Sequence, residues 1–109
     1  MKLPANAEIS EVKIVNYLLK NRSKNDKSSF LNIAGYNQSN YQKLIEDIRT
    51  QILILDAVFQ KSSLYGKTYE IKGVLRTPLN TEIKIQTIWI VDNSSGKTKF
   101  ITLFPCKEK

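Results

Sequence analysis

The sequence contains no histidine and a single cysteine, Cys106, among its 109 residues. One cysteine cannot form a disulfide within the chain, and without histidine or a second thiol the usual ligands of a structural zinc site are missing. Histidine is also the side chain that most often serves as a general base near neutral pH. We therefore expect no metal and no cofactor, and any catalysis must use Lys, Arg, Tyr, Glu or Asp.

Long hydrophobic runs are also lacking. No segment approaches the roughly 18 consecutive apolar residues that a membrane-spanning helix needs. The opening MKLPANAEIS lacks the continuous apolar core of a signal peptide. We therefore expect a cytoplasmic protein with no membrane partner. A Gly-rich phosphate loop, a His-Glu zinc motif and a nucleophile elbow are missing too, which excludes the enzyme classes defined by those motifs.

The chain does carry an excess of positive charge. Its 17 Lys and Arg residues outnumber 10 Asp and Glu residues, which gives a net charge of +7 and a pI near 9.6. Residues 39–62 are neutral, with three charges of each sign, so the excess comes from the two ends of the chain. Such a balance favours nucleic acid, an anionic membrane or an acidic protein as partner. The length and the ordinary hydrophobic content predict a single globular domain over residues 1–109.

Two helices are predicted in the first half of the chain. Ser10 is a plausible N-cap, and the apolar residues that follow it at helical spacing predict a first helix over about 10–21: Val12, Val15, Leu18 and Leu19. Ser39 and Gln42 form a capping-box pattern at the start of a second helix. The apolar stripe of that second helix comprises Tyr41, Leu44, Ile45, Ile48 and Ile52. We expect the second helix to end at a break near Asp56.

The second half changes to a strand pattern. Apolar and polar residues alternate in KTYEIKGVLR, TPLN supplies a turn, and KTKFITLF is the last strand after NSSG. TEIKIQTIWIVD is apolar on both faces, which predicts a central strand with Trp89 buried beneath the second helix, beside Ile45 or Ile48. The predicted fold is α+β, with two N-terminal helices packed on a twisted antiparallel sheet of three or four meandering strands.

Strand alternation also places several basic side chains on one face of this sheet: Lys72, Arg76, Lys84 and Lys99. One interpretation is that they only keep an exposed face soluble. The other is that the face binds an RNA backbone, with Lys24 and Lys27 reaching over from the helical side. Metal-free RNA cleavage needs a base for the 2′-hydroxyl, an acid for the leaving oxygen and positive charge at the phosphate. The candidate catalytic residues are Lys24, Lys27 and Tyr65, which stands at a turn beside Gly66.

Several stretches resemble an uncharacterised bacterial domain family that is plentiful in cyanobacteria: MKLP, KNDKSSFLNIAGY, YGKTYEIKGVL, TIWIV and FITLFP. The resemblance runs through nearly the whole chain. The order of helices and strands is also similar to that of the colicin D, EndoU and RelE group of toxin ribonucleases, which is an analogy of fold. In many relatives one segment reads Gly-Lys-His-Lys; its His falls at Asp26 here, and Lys27 and Phe30 match the following Lys and aromatic residue.

The resemblance implies two functions. A toxin-like RNA-binding protein, acting as a metal-independent ribonuclease on RNA or the ribosome, would use Lys24, Lys27 or Tyr65 in place of the missing His. The strand residues Thr87 and Thr102, which match hydroxyls of the family, would then bind phosphate oxygens, although plain strand propensity also explains them. The alternative is a non-catalytic domain that docks an acidic partner. In either case a small acidic antitoxin or immunity protein is an expected partner.

Overall fold

The computed structural model describes residues 2–15, 31 and 34–105 and has an α+β fold with a four-stranded antiparallel sheet. The strands are β1 (Val58–Ser62), β2 (Gly66–Arg76), β3 (Glu82–Asp92) and β4 (Thr98–Pro105). Their spatial order is β1-β2-β3-β4, so each strand pairs with the next one in sequence. The predicted meander is confirmed, as is the turn at Asn80, whose φ of 60° is one that Asn tolerates well.

One continuous helical segment of 15 residues precedes the sheet. It consists of a 3₁₀ turn (Gln38–Asn40), the helix α2 (Tyr41–Asp47) and a π-type stretch (Ile48–Ile52). The Asn37 side chain accepts hydrogen bonds from the amides of Ser39 and Asn40, and the Asn40 side chain accepts one from the Asn37 amide. The capping box therefore begins two residues before the predicted Ser39, because asparagine at position 37 satisfies the first free amides.

The prediction of two N-terminal helices packed on the sheet is wrong in that form. Within the described residues the first helix, α1, spans only Glu11–Lys13, and residues 16–21 of the predicted helix lie outside the described part. Ser10 does cap α1, but Val12 is 67% exposed whereas Ile14 is fully buried. Of the predicted stripe, Val12 is exposed, Val15 is half-buried, and Leu18 and Leu19 lie outside the described residues; Leu3 and Ile9, ahead of α1, enter the core instead.

The sheet has two different faces. The inner face is turned toward the π-type stretch and the residues just after it, as Gly73 shows: a side chain there would collide with Leu55 and Ile52. The inner face supplies buried side chains from the three longer strands: Ile71, Leu75, Ile85, Trp89, Phe100 and Leu103. Trp89 is fully buried in a central strand, as predicted, and its ring meets that of Phe100 edge to face at 5.3 Å. The outer face lies on the opposite side.

A β-bulge in β4 changes which side chains reach the outer face. Trp89 pairs with Phe100 and Ile88 pairs with Thr102, so Ile101 is an extra residue in β4. Without this extra residue Phe100 and Phe104 would share a face, since both positions are even. The bulge instead places Phe100 in the core and Phe104 on the outer face.

One edge of the sheet is covered by another segment of the chain, and the other edge is exposed. The N-terminal segment covers the edge of β4, because the Glu8 amide donates to the Thr98 carbonyl at 2.7 Å and the Phe100 amide donates to the Glu8 carbonyl at 2.8 Å. At the opposite side of the sheet, all five residues of β1 are exposed. In the described part of the chain, β1 pairs only with β2.

Candidate nucleic-acid interface

The strand register places the four basic residues predicted from alternation on the outer face. Lys72 is opposite Gln86, Lys84 is opposite Val74, and Arg76 is opposite Glu82. Lys99, opposite Ile90, lies on the same face. A common face does not make one cluster, however. At about 3.3 Å per residue, Lys99 is offset from Lys72 by about 13 Å along the strands, toward the other end of the sheet.

Lys72 and Lys84 line one groove of the outer face. They stand on neighbouring strands, and Gly73, Val74 and Ile85 also line the groove, which has a volume of about 210 Å³. Two ammonium groups beside one shallow groove create a local positive potential that suits a phosphate oxygen.

Phe104 and Gln86 extend this group across the outer face. Phe104 pairs with Gln86, which in turn pairs with Lys72, so the three residues form one row across β4, β3 and β2. Phe104 is 38% exposed, so part of its ring is accessible. Phe104 could not be found from the sequence, because strict alternation places it on the same face as Phe100. Only the bulge at Ile101 turns it to the outer face. We use the name basic row for Lys72, Gln86 and Phe104 together with Lys84, which lies two residues from Gln86 along β3.

Acidic residues partly neutralise the outer face. Lys72 lies 3.9 Å from Glu70, Arg76 lies 3.3 Å from Glu82, and Lys99 lies 3.7 Å from Asp92. Hydrogen bonds from the Ser94 hydroxyl and amide, and then the Lys99 charge, lower the pKa of the Asp92 carboxyl. The basic partner of each pair is exposed, and surface pairs of this kind contribute little to stability.

The two predicted threonines lie on different faces. Thr87 is on the inner face and fully buried, where its hydroxyl donates to the Ile71 carbonyl and accepts from Trp89 Nε1 at 2.8 Å. This hydroxyl cannot reach a phosphate at the surface, because the buried indole N–H needs it as an acceptor. Thr102 lies on the outer face opposite Ile88, and neighbouring side chains cover most of it.

The candidate catalytic residues are separated from the basic row or lie outside the described part. Tyr65 is 78% exposed at the tip of the turn between β1 and β2. Its neighbour Gly66 is about 20 Å from Lys72 along β2, which is too far for both to act on one phosphodiester. Lys24, Lys27, Asp26 and Phe30 lie outside the described residues.

A buried polar group lies on the helical side, away from the outer face. The Tyr36 hydroxyl donates to Asp47 Oδ2 at 2.6 Å, and Lys43 lies 3.1 Å from Asp47 Oδ1. Burial, and then the hydrogen bond to Asp47, raise the pKa of the Tyr36 hydroxyl far above 10.0. Because Tyr36 and Asp47 are both buried and satisfy each other, the pair has a structural role: it ties the segment before α2 to the last residue of that helix.

The described residues contain neither a metal-ligand cluster nor a membrane-spanning helix. No group of three or more His, Cys, Asp or Glu side chains there could hold a metal ion. None of the helices in the described ranges has both the length and the apolar character needed to cross a membrane.

Comparison with known proteins gives a fold neighbour and a family. No curated protein matches the chain. A chain from the solved structure of a contact-dependent growth inhibition toxin–immunity protein complex of Klebsiella pneumoniae 342 is 17% identical, with a TM-score of 0.65. The match covers 95% of this chain and 97% of that one, so the two share a fold. The family profile of a domain of unknown function, DUF6883, matches residues 2–107, and the chain therefore belongs to this family.

Proposed function

We propose that this protein is the toxin-type member of a toxin–immunity pair and that it binds single-stranded RNA on the outer face of its sheet, in the cytoplasm. The observation that carries the proposal is the basic row, in which Lys72 and Lys84 flank a groove and Phe104 stands beside them with Gln86 between. Lysines provide charge for the phosphates, an exposed aromatic ring stacks on a base, and an amide can hydrogen-bond to a base edge.

The fold supports a toxin-type assignment by analogy. A match over 95% of this chain to one chain of a toxin–immunity complex makes a related biological setting a reasonable starting point. The excess of positive charge agrees with an RNA target and with an acidic immunity partner alike.

The proposal includes metal-independent cleavage of the bound RNA. The 2′-hydroxyl oxygen would attack the phosphorus, the 5′-oxygen would leave, and the products would be a 2′,3′-cyclic phosphate and a 5′-hydroxyl. We assign the two proton transfers to Lys24 and Lys27, one as the neutral amine and the other as the ammonium ion. Tyr65 is not assigned to either transfer, because of its distance from the basic row.

Incubation of the pure protein with total tRNA in EDTA, and with translating ribosomes in magnesium-containing buffer, tests the cleavage. We expect fragments that carry cyclic phosphate ends, and we expect Lys24→Ala and Lys27→Ala to remove them. RNA that stays intact in both settings would eliminate the catalytic part of the proposal.

Binding is tested separately through its salt dependence. If about four phosphates are neutralised, the logarithm of affinity for a labelled single-stranded RNA should fall with log salt at a slope near −3, and the Lys72→Ala/Lys84→Ala double variant should reduce that slope to about −1.5. The matched control is Lys67→Ala, since Lys67 is an exposed lysine of the same strand in the opposite phase. A flat salt response, or equal effects of the control, would contradict binding at the basic row.

A second candidate function is a non-catalytic domain that docks an acidic protein. The fully exposed strand β1 favours it, since such an edge is suited to a protein partner. Overproduction of the chain alone distinguishes the two: a toxin arrests growth and Lys24→Ala with Lys27→Ala relieves the arrest, whereas a docking domain is harmless.

A further inference from the structure

We propose that β1 and the turn after it form the docking surface for an acidic partner protein, which adds an edge strand of its own to β1. This inference rests on the proposed function for the existence of a partner and goes beyond it by naming the surface. We call the surface, made of β1 and the turn residues 63–66, the β1 edge.

The β1 edge exposes apolar side chains that a solvated edge strand usually avoids. Val58 is 62% exposed and Phe59 is 51% exposed, on opposite sides of the strand, and Leu64 in the turn is 94% exposed. Natural proteins protect free edges with charges, proline or a covering segment. β1 carries only Lys61 and the bulge next to it, whereas the N-terminal segment covers the other edge, at β4.

The turn of the β1 edge is fixed before any partner arrives. The Asn93 amide donates to the Tyr65 carbonyl at 2.9 Å, and the Asn93 side chain donates to the carbonyls of Ser63 and Leu64 at 3.3 Å. Leu64 and Tyr65 therefore stand on a hydrogen-bonded turn, beside a groove of about 360 Å³ that they line together with Asp92, Asn93 and Ser94. Rigid aromatic and apolar anchors lose little entropy on binding, which is typical of the residues that dominate an interface.

The charge of the β1 edge selects an acidic occupant. Residues 57–69 contain Lys61 and Lys67, both exposed, but no Asp or Glu, in a chain that carries a charge of +7. Two acidic side chains lie beside this segment, Glu70 opposite Val58 and Asp92 in the groove beside Tyr65, and each is paired with a lysine. A second copy of this chain would bring the same positive charges together, so the surface favours an acidic partner over self-association.

A defined peptide can serve as the probe. We would titrate the ¹⁵N-labelled full chain with a capped peptide of about six alternating Glu and Val residues, the length of a typical strand. We expect amide shifts and slower hydrogen exchange confined to β1 and residues 63–66. A peptide with Lys in place of Glu should bind more weakly, and one with alternate N-methyl groups should bind about tenfold or more weakly, because it cannot complete the strand ladder.

A pair of matched variants tests the location. Val58→Asp should weaken the Glu-Val peptide about tenfold through charge repulsion and lost apolar contact. Val12→Asp, at an exposed valine of α1, should leave it unchanged. Unaltered β1 amides at millimolar peptide, equal binding of the N-methylated or Lys-containing peptide, or concentration-dependent dimers through β1 would each overturn the proposal. RNA binding by Val58→Asp is measured in parallel. Because the proposed RNA site does not include β1, its outcome bears on the proposed function and not on the docking surface.

Discussion

The inner and outer faces of the sheet are built from alternate residues of the same strands, yet they differ in what fills them. Every described residue of β3 on the inner face from Ile85 to Trp89 is buried, and the Thr87–Trp89 hydrogen bond satisfies the polar atoms there. The outer face presents Lys72, Lys84 and Phe104 without a covering helix in the described part of the chain. The inner face therefore determines the fold, and the outer face can vary with function at little cost in stability.

The largest expected loss of stability comes from removing the buried Trp89 ring from the inner face. Trp89→Ala should lower the free energy of unfolding by about 3–5 kcal/mol, because it leaves a cavity in the core and strips Thr87 and Phe100 of their partner. Chemical denaturation monitored by circular dichroism measures it, since the variant has no tryptophan. A native emission maximum of the parent protein at the wavelength of the unfolded chain would show that the ring is exposed instead.

A smaller effect is expected from the buried hydroxyl of Tyr36. Tyr36→Phe removes a hydrogen bond to the buried Asp47 carboxylate and should cost about 1.5–3 kcal/mol of unfolding free energy. Tyr41→Phe is the matched control, since its hydrogen bond to Glu11 is exposed and its loss should cost less than about 0.5 kcal/mol. Equal losses measured by denaturant titration would mean that burial does not set the value of these bonds.

Phe104→Ala should separate function from stability on the outer face. We expect its free energy of unfolding to fall by less than about 1 kcal/mol, because the ring is partly exposed. RNA affinity should fall about five- to hundredfold through the loss of one stacked base. Anisotropy titration and denaturation of the same preparation measure both quantities, and a large stability loss with unchanged affinity would assign Phe104 to the core.

The smallest expected effect concerns Asp92 at the end of the outer face. Its pKa is lowered in the folded protein, chiefly by Ser94, so its contribution to stability is present above the unfolded pKa near 3.8 and is lost as the pH falls through the folded value. Asp92→Asn should be slightly less stable than the parent at pH 7 and equal to it well below pH 4. A difference that persists at pH 2 would point to a cause other than this ionisation.

The sheet could be predicted from the sequence, but the N-terminal segment, the outward position of Phe104 and the role of Thr87 could not. Period-two alternation predicts β2, and the apolar residues on both faces of TEIKIQTIWIVD predict β3 as a central strand with Trp89 buried, because both depend on local pattern. The path of Leu3 and Ile9 could not be predicted, since it depends on pairing with residues distant in sequence: Lys2 pairs with Asp56, and Glu8 pairs with β4. The outward position of Phe104 depends on one extra residue in β4, and the burial of Thr87 on the need of an indole N–H for an acceptor.

The pairing of Glu8 with β4 also bears on the order in which the molecule can form. It joins positions 8 and 99, among the most widely separated contacts that this chain can make. Loop closure of that length is entropically expensive, so neighbouring hairpins should assemble first and the N-terminal segment should dock late. During synthesis the apolar side chains of the N-terminal segment beside Glu8 stay uncovered until β4 has been made. A chain interrupted before β4 would retain three meandering strands and leave Leu3, Ala7 and Ile9 without their place in the core, which makes it a target for proteolysis.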